Sequence, residues 1–318
     1  MPGRTTIVEV ARRLGVAPST VSRAFNTPRL LRPETVERVR AMAAEMGYAP
    51  NQHARALITG RSGVIGLVIP DITNPFFPPL IRTAQREAER RGLGVFVVET
   101  NSDAEREDVL VRRLVPQVEG LVLASSRLPD EQLHDLAVHT RTVLVNRDVA
   151  GIGRVLTSSR EALVDGVRRM HAAGAQDFCY VGGPHLSWSE GERRDAMRAM
   201  EGELHLRVRY LGVESGTYAD ARNLAHDVGP ATRAVVAFDD IVAHGVLDGL
   251  TSRGVRVPQD MLLLGCDDAL PIETHPRIST IRLQIETGIA KALELLVAPE
   301  ARDERVVVPG TLELRETT

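Results

Sequence analysis

The sequence predicts an α/β protein: a small all-α head followed by a larger body of doubly wound parallel sheets in two lobes. Three observations carry this. Within the first sixty residues, apolar side chains recur at helical spacing in three short runs. From Gly63 onward, short apolar strands alternate with amphipathic helices, the rhythm of parallel sheets covered on both faces. The length of 318 residues also exceeds what one hydrophobic core supports, so two or three units are expected.

The first helix opens at Thr6-Ile7-Val8-Glu9, which has capping-box spacing, and sets Val10, Ala11 and Leu14 on one face before Gly15 stops it. A second begins at Pro18, which suits a first helical turn because it has no N–H to leave unpaired. Val21 and Phe25 face inward there, leaving Ser22 and Arg23 off the buried face. A third starts near Pro33-Glu34, carries Val36, Val39, Ala43 and Met46, and ends at Gly47. A helix, a tight turn and a second short helix form a helix-turn-helix. That shape lets one helix enter a groove roughly 12 Å wide while the other braces on the backbone.

Asn51 to Arg61 is polar and too short to hold a core, and reads as a linker able to form one or two helical turns. The body then reads as strands and helices at Val64–Ile69, Ile81–Arg91, Val95–Val98, Ala104–Val115, Gly120–Ala124 and Thr142–Val145. It continues with Glu161–Ala173, Phe178–Val181, Gly191–Met200, Ala234–Phe238, Ile241–Arg253 and Met261–Gly265. Open α/β sheets bind ligands at the carboxyl ends of their strands, so a cleft between the lobes is the expected ligand site.

Charge divides the chain in the same place. Residues 1–61 hold ten Arg against four Glu, a balance of +6, which leaves −9 on the rest of a chain whose net charge is −3. A basic head on an acidic body points to a polyanionic partner for the head. Cys179 and Cys266 sit in apolar runs without a second ligand at metal spacing and read as buried, inert thiols. No apolar run is long enough to span a bilayer and the start lacks a secretion signal, so the expected place is the cytoplasm.

Beyond these patterns stand particular residues: Thr20-Val21-Ser22-Arg23 with Asn26, Gly47-Tyr48-Ala49-Pro50-Asn51, Ala54-Arg55-Ala56-Leu57 and Ile65-Gly66-Leu67-Val68-Ile69-Pro70-Asp71-Ile72-Thr73-Asn74-Pro75-Phe76-Phe77. Gly182-Gly183-Pro184, Val257-Pro258-Gln259-Asp260, Gly265-Cys266-Asp267-Asp268 and Leu314-Arg315-Glu316-Thr317-Thr318 follow in order. This series closely resembles the lac repressor / galactose repressor family over nearly the whole chain. The resemblance implies a periplasmic-binding-protein-like core of two lobes joined by three crossings. It implies a head at 1–48, a hinge at 49–62 and a core at 63–318. Lobe 1 would take about 63–156 plus about 284–300, and lobe 2 about 157–283 plus the C-terminal strands.

The resemblance also implies a DNA operator as partner, bound by a homodimer because one head covers only a half-site. Ala17, Pro18 and Ser19 would choose bases, and the planar fork of Arg23 suits guanine O6 and N7. Thr20, Ser22 and Asn26 would hold phosphates, and Thr6 at the first cap would be a further DNA-binding residue. Asn51, Ala54, Arg55 and Leu57 would form a hinge helix on the operator, Leu57 wedging between base pairs; the competing reading packs Leu57 on the core. Where the family has a capping serine this chain has Ala17, and a second cap position holds Arg32.

For a small-molecule effector the resemblance implies Phe76, Phe77, Ser125 and Arg147 from the first lobe, and Arg193, Asp239 and Asp267 from the second. Carboxylates and a guanidinium suit a polyol, and an aromatic ring suits a sugar face or a purine. Core packing is the alternative for the phenylalanines and Ser125. Trp188 either lines the cleft or is simply buried. The chain departs from the family at Ser158-Ser159, Gly174-Ala175 and Asp239-Asp240, where an Asp-Asn pair, a Gly-His and an Asn-Asp pair are usual.

Two rival functions stand beside a repressor. An α/β enzyme could use Asp239-Asp240 with Asp267-Asp268, but there is no phosphate-cradling Gly-x-x-x-x-Gly-Lys-Ser/Thr, Gly-x-Ser-x-Gly elbow or His-Glu-x-x-His. A stand-alone solute-binding protein would need a secretion signal in place of a basic head. No cofactor, metal or membrane partner is expected.

Overall fold

Thr6 starts the head by accepting a hydrogen bond from the Glu9 amide while the Glu9 carboxylate accepts from the Thr6 amide, and α1 (Ile7–Leu14) follows. Gly15, at φ +66°, closes it in the left-handed region that glycine adopts without strain. Pro18 and Pro33 occupy the first turns of α2 (Pro18–Asn26) and α3 (Pro33–Glu45). Neither N-cap residue, Ala17 or Arg32, supplies a side-chain acceptor. Val10, Ala11, Val21, Ala24, Val39 and Ala43 make the buried core of this unit. Phe25 is half-buried beside it, its ring 6.0 Å from that of Tyr48.

This computed structural model describes residues 5–48, 62–270, 274–298, 300 and 302–318, and divides into a unit at Met1–Gly63 and a second at Val64–Thr318. The second runs through β1 (Val64–Ile69), α4 (Phe77–Arg90), β2 (Gly94–Glu99), α5 (Ala104–Leu114), β3 (Leu121–Ala124), α6 (Asp130–His139), β4 (Thr142–Val145) and β5 (Gly153–Ser158). It crosses to lobe 2 for α7 (Arg160–Ala172), β6 (Asp177–Gly182), α8 (Trp188–Leu204), β7 (Arg207–Gly212), α9 (Tyr218–Leu224), β8 (Ala234–Ala237), α10 (Asp240–Ser252) and β9 (Leu262–Leu264). It returns through β10 (Thr280–Arg282) to α11 (Ile285–Val297) and β11 (Arg305–Pro309), then crosses again into β12 (Thr311–Glu313).

Lobe 1 is a parallel sheet in the order β11-β5-β4-β3-β1-β2, and lobe 2 a parallel sheet in the order β7-β6-β8-β9. β1, β3 and β8 are apolar throughout, because helices cover both faces. Three crossings join the lobes, and the last two run side by side as β10 and β12, paired antiparallel. One sequence expectation is corrected here: the C-terminal strands do not all join lobe 2. β11 pairs along its whole length with β5 in the lobe 1 sheet, where it supplies an edge, and only β12 and the tail return to lobe 2.

Strand order places the site. In each sheet the chain starts near the middle and winds to one side, then to the other. The reversal falls between β1 and β3 in lobe 1 and between β6 and β8 in lobe 2. Loops leaving adjacent strands at such a point diverge and leave a crevice at the carboxyl ends.

On the outer face of lobe 2, α10 lies against α9 through glycines. A Cβ at Gly245 would fall 2.4 Å from the Tyr218 carbonyl oxygen and 2.7 Å from the Ala221 Cβ. Gly245→Ala is therefore expected to lower stability by about 1–3 kcal/mol through overpacking. Urea titration checks this, and a midpoint equal to wild type would show that α9 yields without cost.

Candidate functional site

On the head, Ala17, Pro18, Ser19, Arg23 and Asn26 are exposed, Thr20 and Ser22 half-buried, and Val21 and Ala24 turned into the core. The amide of Asn26 donates to the Ser22 hydroxyl at 3.2 Å, one turn back along α2. Among the described residues the Arg23 side chain has no hydrogen bond or ion pair, so its fork is available. Thr6 is different: its hydroxyl accepts from the Glu9 amide and donates to the Glu9 carboxylate, so it holds the cap. Asn51, Ala54, Arg55 and Leu57 lie outside the described residues.

In the body a cavity of about 290 Å³ opens between the carboxyl ends of the two sheets. Six of the residues expected there line it: Phe76, Phe77, Ser125, Arg193, Asp239 and Asp267. Phe76 and Phe77 serve two purposes, since they also belong to the buried core and meet edge to face at 5.1 Å.

Arg193, projecting from α8, is 3% exposed. Its Nη2 donates to Asp267 Oδ1 at 3.0 Å, its Nε to the Ser159 hydroxyl at 3.2 Å, and its Nη1 to the Phe238 carbonyl. The guanidinium also sits 4.7 Å from the centre of the Phe238 ring, a cation–π contact. Asp239 caps α10 by accepting from the Val242 amide, and its other oxygen faces the Asn74 amide of lobe 1 at 3.5 Å. Burial, with the neighbouring Asp267 charge, holds the Asp239 carboxyl above the ordinary range. Asp267 is pushed up by burial, and the Arg193 charge opposes that.

Asp240 and Asp268 are structural. Asp240 accepts from the Thr280 hydroxyl at 2.6 Å and the Asp268 amide at 2.8 Å. Asp268 pairs with Arg282 and Arg315. Both carboxylates thus tie the β10–β12 ribbon to lobe 2. Ser158 and Ser159, which replace the usual Asp-Asn pair, bind the Glu192 carboxylate across the first crossing.

Arg147 is a correction to the expected effector set. It does not line the cavity, because its guanidinium is drawn to Asp130 Oδ1 at 2.6 Å and the Leu128 carbonyl at 3.2 Å. Trp188 opens α8 half-buried and is also absent from the lining. Sequence reasoning missed Asn74, Arg127, Asn146, Phe238 and Thr217. The signal was there: each follows a strand's carboxyl end or opens the helix after it, and Asn74, Arg127 and Phe238 follow strands that flank the reversal of strand order.

A helix pair built to enter a groove, carried on a chain that also holds a small-molecule cleft, is the design of a transcription regulator that answers to a ligand. Residues 6–51 match the lacI family of bacterial regulatory proteins, and residues 167–318 the periplasmic binding protein-like domain. The ribose operon repressor of Bacillus subtilis (strain 168) is 30% identical over 325 residues, with 98% of each chain covered. The chain belongs to the lacI family. The crystal structure of the lac repressor dimer bound to operator and the anti-inducer ONPF shares the fold, with a TM-score of 0.86 at 23% identity over 99% of both chains. A lacI-family regulator from Arthrobacter sp. FB24, in complex with lactose, is 26% identical at a TM-score of 0.69, covering 80% of this chain and 99% of that one.

Burial raises the Asp240 carboxyl to about 8. Its folded pKa then exceeds its unfolded one, so the folded state binds the extra proton, and stability present below about pH 4 is lost as pH rises through 8. Asp239 acts in the same direction. Urea midpoints from pH 5 to 9 should fall for the wild type and fall less for Asp240→Asn; parallel curves would show that Asp240 does not titrate in this window.

Proposed function

We propose that this chain represses transcription by gripping a palindromic operator as a homodimer, and that a polyhydroxylated small molecule in the inter-lobe cavity sets its affinity for DNA. The observation that carries the reading is the cavity itself: hexose-sized, lined by hydroxyls and aromatic rings from both lobes, with a buried Arg193–Asp267 pair at its lobe 2 wall. A guanidinium donates in a fork and carboxylates accept from neighbouring hydroxyls, while a phenylalanine ring covers an apolar sugar face.

On the head, Ala17, Pro18, Ser19 and Arg23 read bases, Arg23 at a guanine; Thr20, Ser22 and Asn26 hold phosphates. Asn51, Ala54, Arg55 and Leu57 form the minor-groove element, with Leu57 as its wedge. The effector set is Phe76, Phe77, Ser125, Arg193, Asp239 and Asp267. A ligand that prefers one arrangement of the lobes shifts the population toward it, and DNA affinity follows by linkage.

We read the chain as a regulator rather than an enzyme, working in the cytoplasm where its DNA lies. Among the described residues no helix is long and apolar enough to cross a membrane, and none of their acidic, Cys or His side chains group in threes to hold a metal ion.

Operators selected from randomised palindromes provide the test. Arg23→Ala should weaken binding to the selected site by about tenfold to a hundredfold and leave random duplex nearly unchanged; equal loss on both would remove base reading from Arg23. A thermal-shift screen of sugars and polyols should find a ligand that raises the wild-type midpoint and alters operator affinity, with Arg193→Met abolishing the rise. A wild-type protein that prefers no palindrome over random duplex would sink the repressor reading.

A further inference from the structure

Among the described residues, Arg127 is the cavity cation that makes no ion pair. It follows β3 in a loop built to hold it: the Ser126 hydroxyl and the Arg127 amide both donate to the carboxylate of Glu107, which α5 presents 2% exposed. The loop is therefore fixed from behind while the Arg127 side chain lines the cavity. Its Nη1 donates to two carbonyls, Ser125 at 3.1 Å in its own lobe and Leu186 at 3.4 Å in the other. Among the described residues, no carboxylate comes within ion-pair distance of this guanidinium, and its Nε and Nη2 make no hydrogen bond.

Arg193 is the contrast. All three of its nitrogens have partners, and Asp267 neutralises its charge. Of the cavity's three carboxylates, Asp267 holds Arg193, Asp239 caps α10, and Asp71 accepts from the amide and hydroxyl of Thr73. Arg147, itself paired with Asp130, also disfavours the Arg127 charge. Burial opposes the Arg127 charge, and Glu107 only partly offsets that. A half-buried guanidinium with an open Nε/Nη2 edge is the geometry that a carboxylate or phosphate fills with two parallel hydrogen bonds.

We infer that the cleft selects a monosaccharide-sized polyol bearing one anionic group, a sugar acid or a sugar phosphate, and that Arg127 is the residue that selects it. The hydroxyls of such a ligand meet Asp239 and Asp267 of lobe 2, and its anion meets Arg127 of lobe 1. Ligand size follows from the cavity of about 290 Å³. This rests on the proposal that the cavity is the effector site.

Calorimetric titration of the full-length protein with matched pairs separates the two. The pairs are D-glucitol and D-gluconate, D-galactose and D-galacturonate, D-mannose and D-mannuronate, and D-glucose and glucose 6-phosphate. The charged member of at least one pair should bind about tenfold tighter or more than its neutral partner, and the preference should weaken with added salt. Preference confined to carboxylates identifies a sugar acid, and preference confined to the phosphate identifies a phosphate ester. Arg127→Met should erase the preference by weakening the charged member to the level of its neutral partner, and Arg127→Lys should retain part of it. Neutral members binding as well as charged ones, or an Arg127→Met protein with the preference intact, overturns the inference and leaves the effector site standing. No binding by any member, charged or neutral, overturns both.

Discussion

The buried guanidinium of Arg193 is the interaction on which the ligand site depends. A cation in that position is tolerable only with its donors satisfied, and its partners come from three separate places: Asp267 after β9, the Phe238 carbonyl after β8, and Ser159 at the first crossing. Removing any one partner leaves a charged donor without compensation in a low-dielectric site, which costs more than the lost bond. The lobe 2 wall is consequently stiff, and its stiffness extends to the crossing. Ser159 also binds Glu192, the neighbour of Arg193 on α8, so a displacement of the wall is felt where the chain passes between lobes.

Backbone conformation points to the same place. Among the described residues seven non-glycine positions have positive φ, and four of them, Ser102, Ser125, Asn146 and Asp267, line the cavity. Each follows the carboxyl end of a strand. The turn there aims a side chain across the cleft at some conformational cost. Asp267, at φ +105°, lies furthest from what a carboxylate residue adopts freely, and its backbone is pinned by bonds with Ile281 and Leu283. Strain of this kind persists only where surrounding bonds over-determine it.

Much of this was legible in the sequence, for reasons that can be named. The capping box at Thr6 and the stop at Gly15 are local chemistry, and the apolar runs of β1, β3 and β4 are what burial on both faces demands. α4 begins at Phe77 rather than Ile81 because Pro78 and Pro79 stand in its first turn, where missing N–H groups break nothing; read without that context they look like a stop. β7 was hidden by Arg207 and Arg209, which alternate with Val208 and Tyr210 on an edge strand. The position of β11 was not readable, since which sheet a C-terminal strand joins is decided by packing across 150 residues of chain. Arg147 was misplaced for a similar reason: residue order says that it follows β4, but the pull of Asp130 decides where its side chain goes.

The balance of forces between lobes follows from where the strong bonds lie. The second and third crossings are fastened to lobe 2 by Thr280 on Asp240 and by Arg282 and Arg315 on Asp268, all at 2.8 Å or less. Across the mouth of the cavity, by contrast, the polar contacts between facing loops among the described residues are Asn74 to Asp239 at 3.5 Å and Arg127 to the Leu186 carbonyl at 3.4 Å. Bonds of that length contribute little. Intramolecular contacts at the mouth therefore hold the lobes together only weakly, and the lobe arrangement is open to control by whatever fills the space. A ligand that replaced both long contacts with short, charge-assisted ones would gain affinity specifically in the closed arrangement, and that difference in affinity is what a ligand needs in order to move the equilibrium.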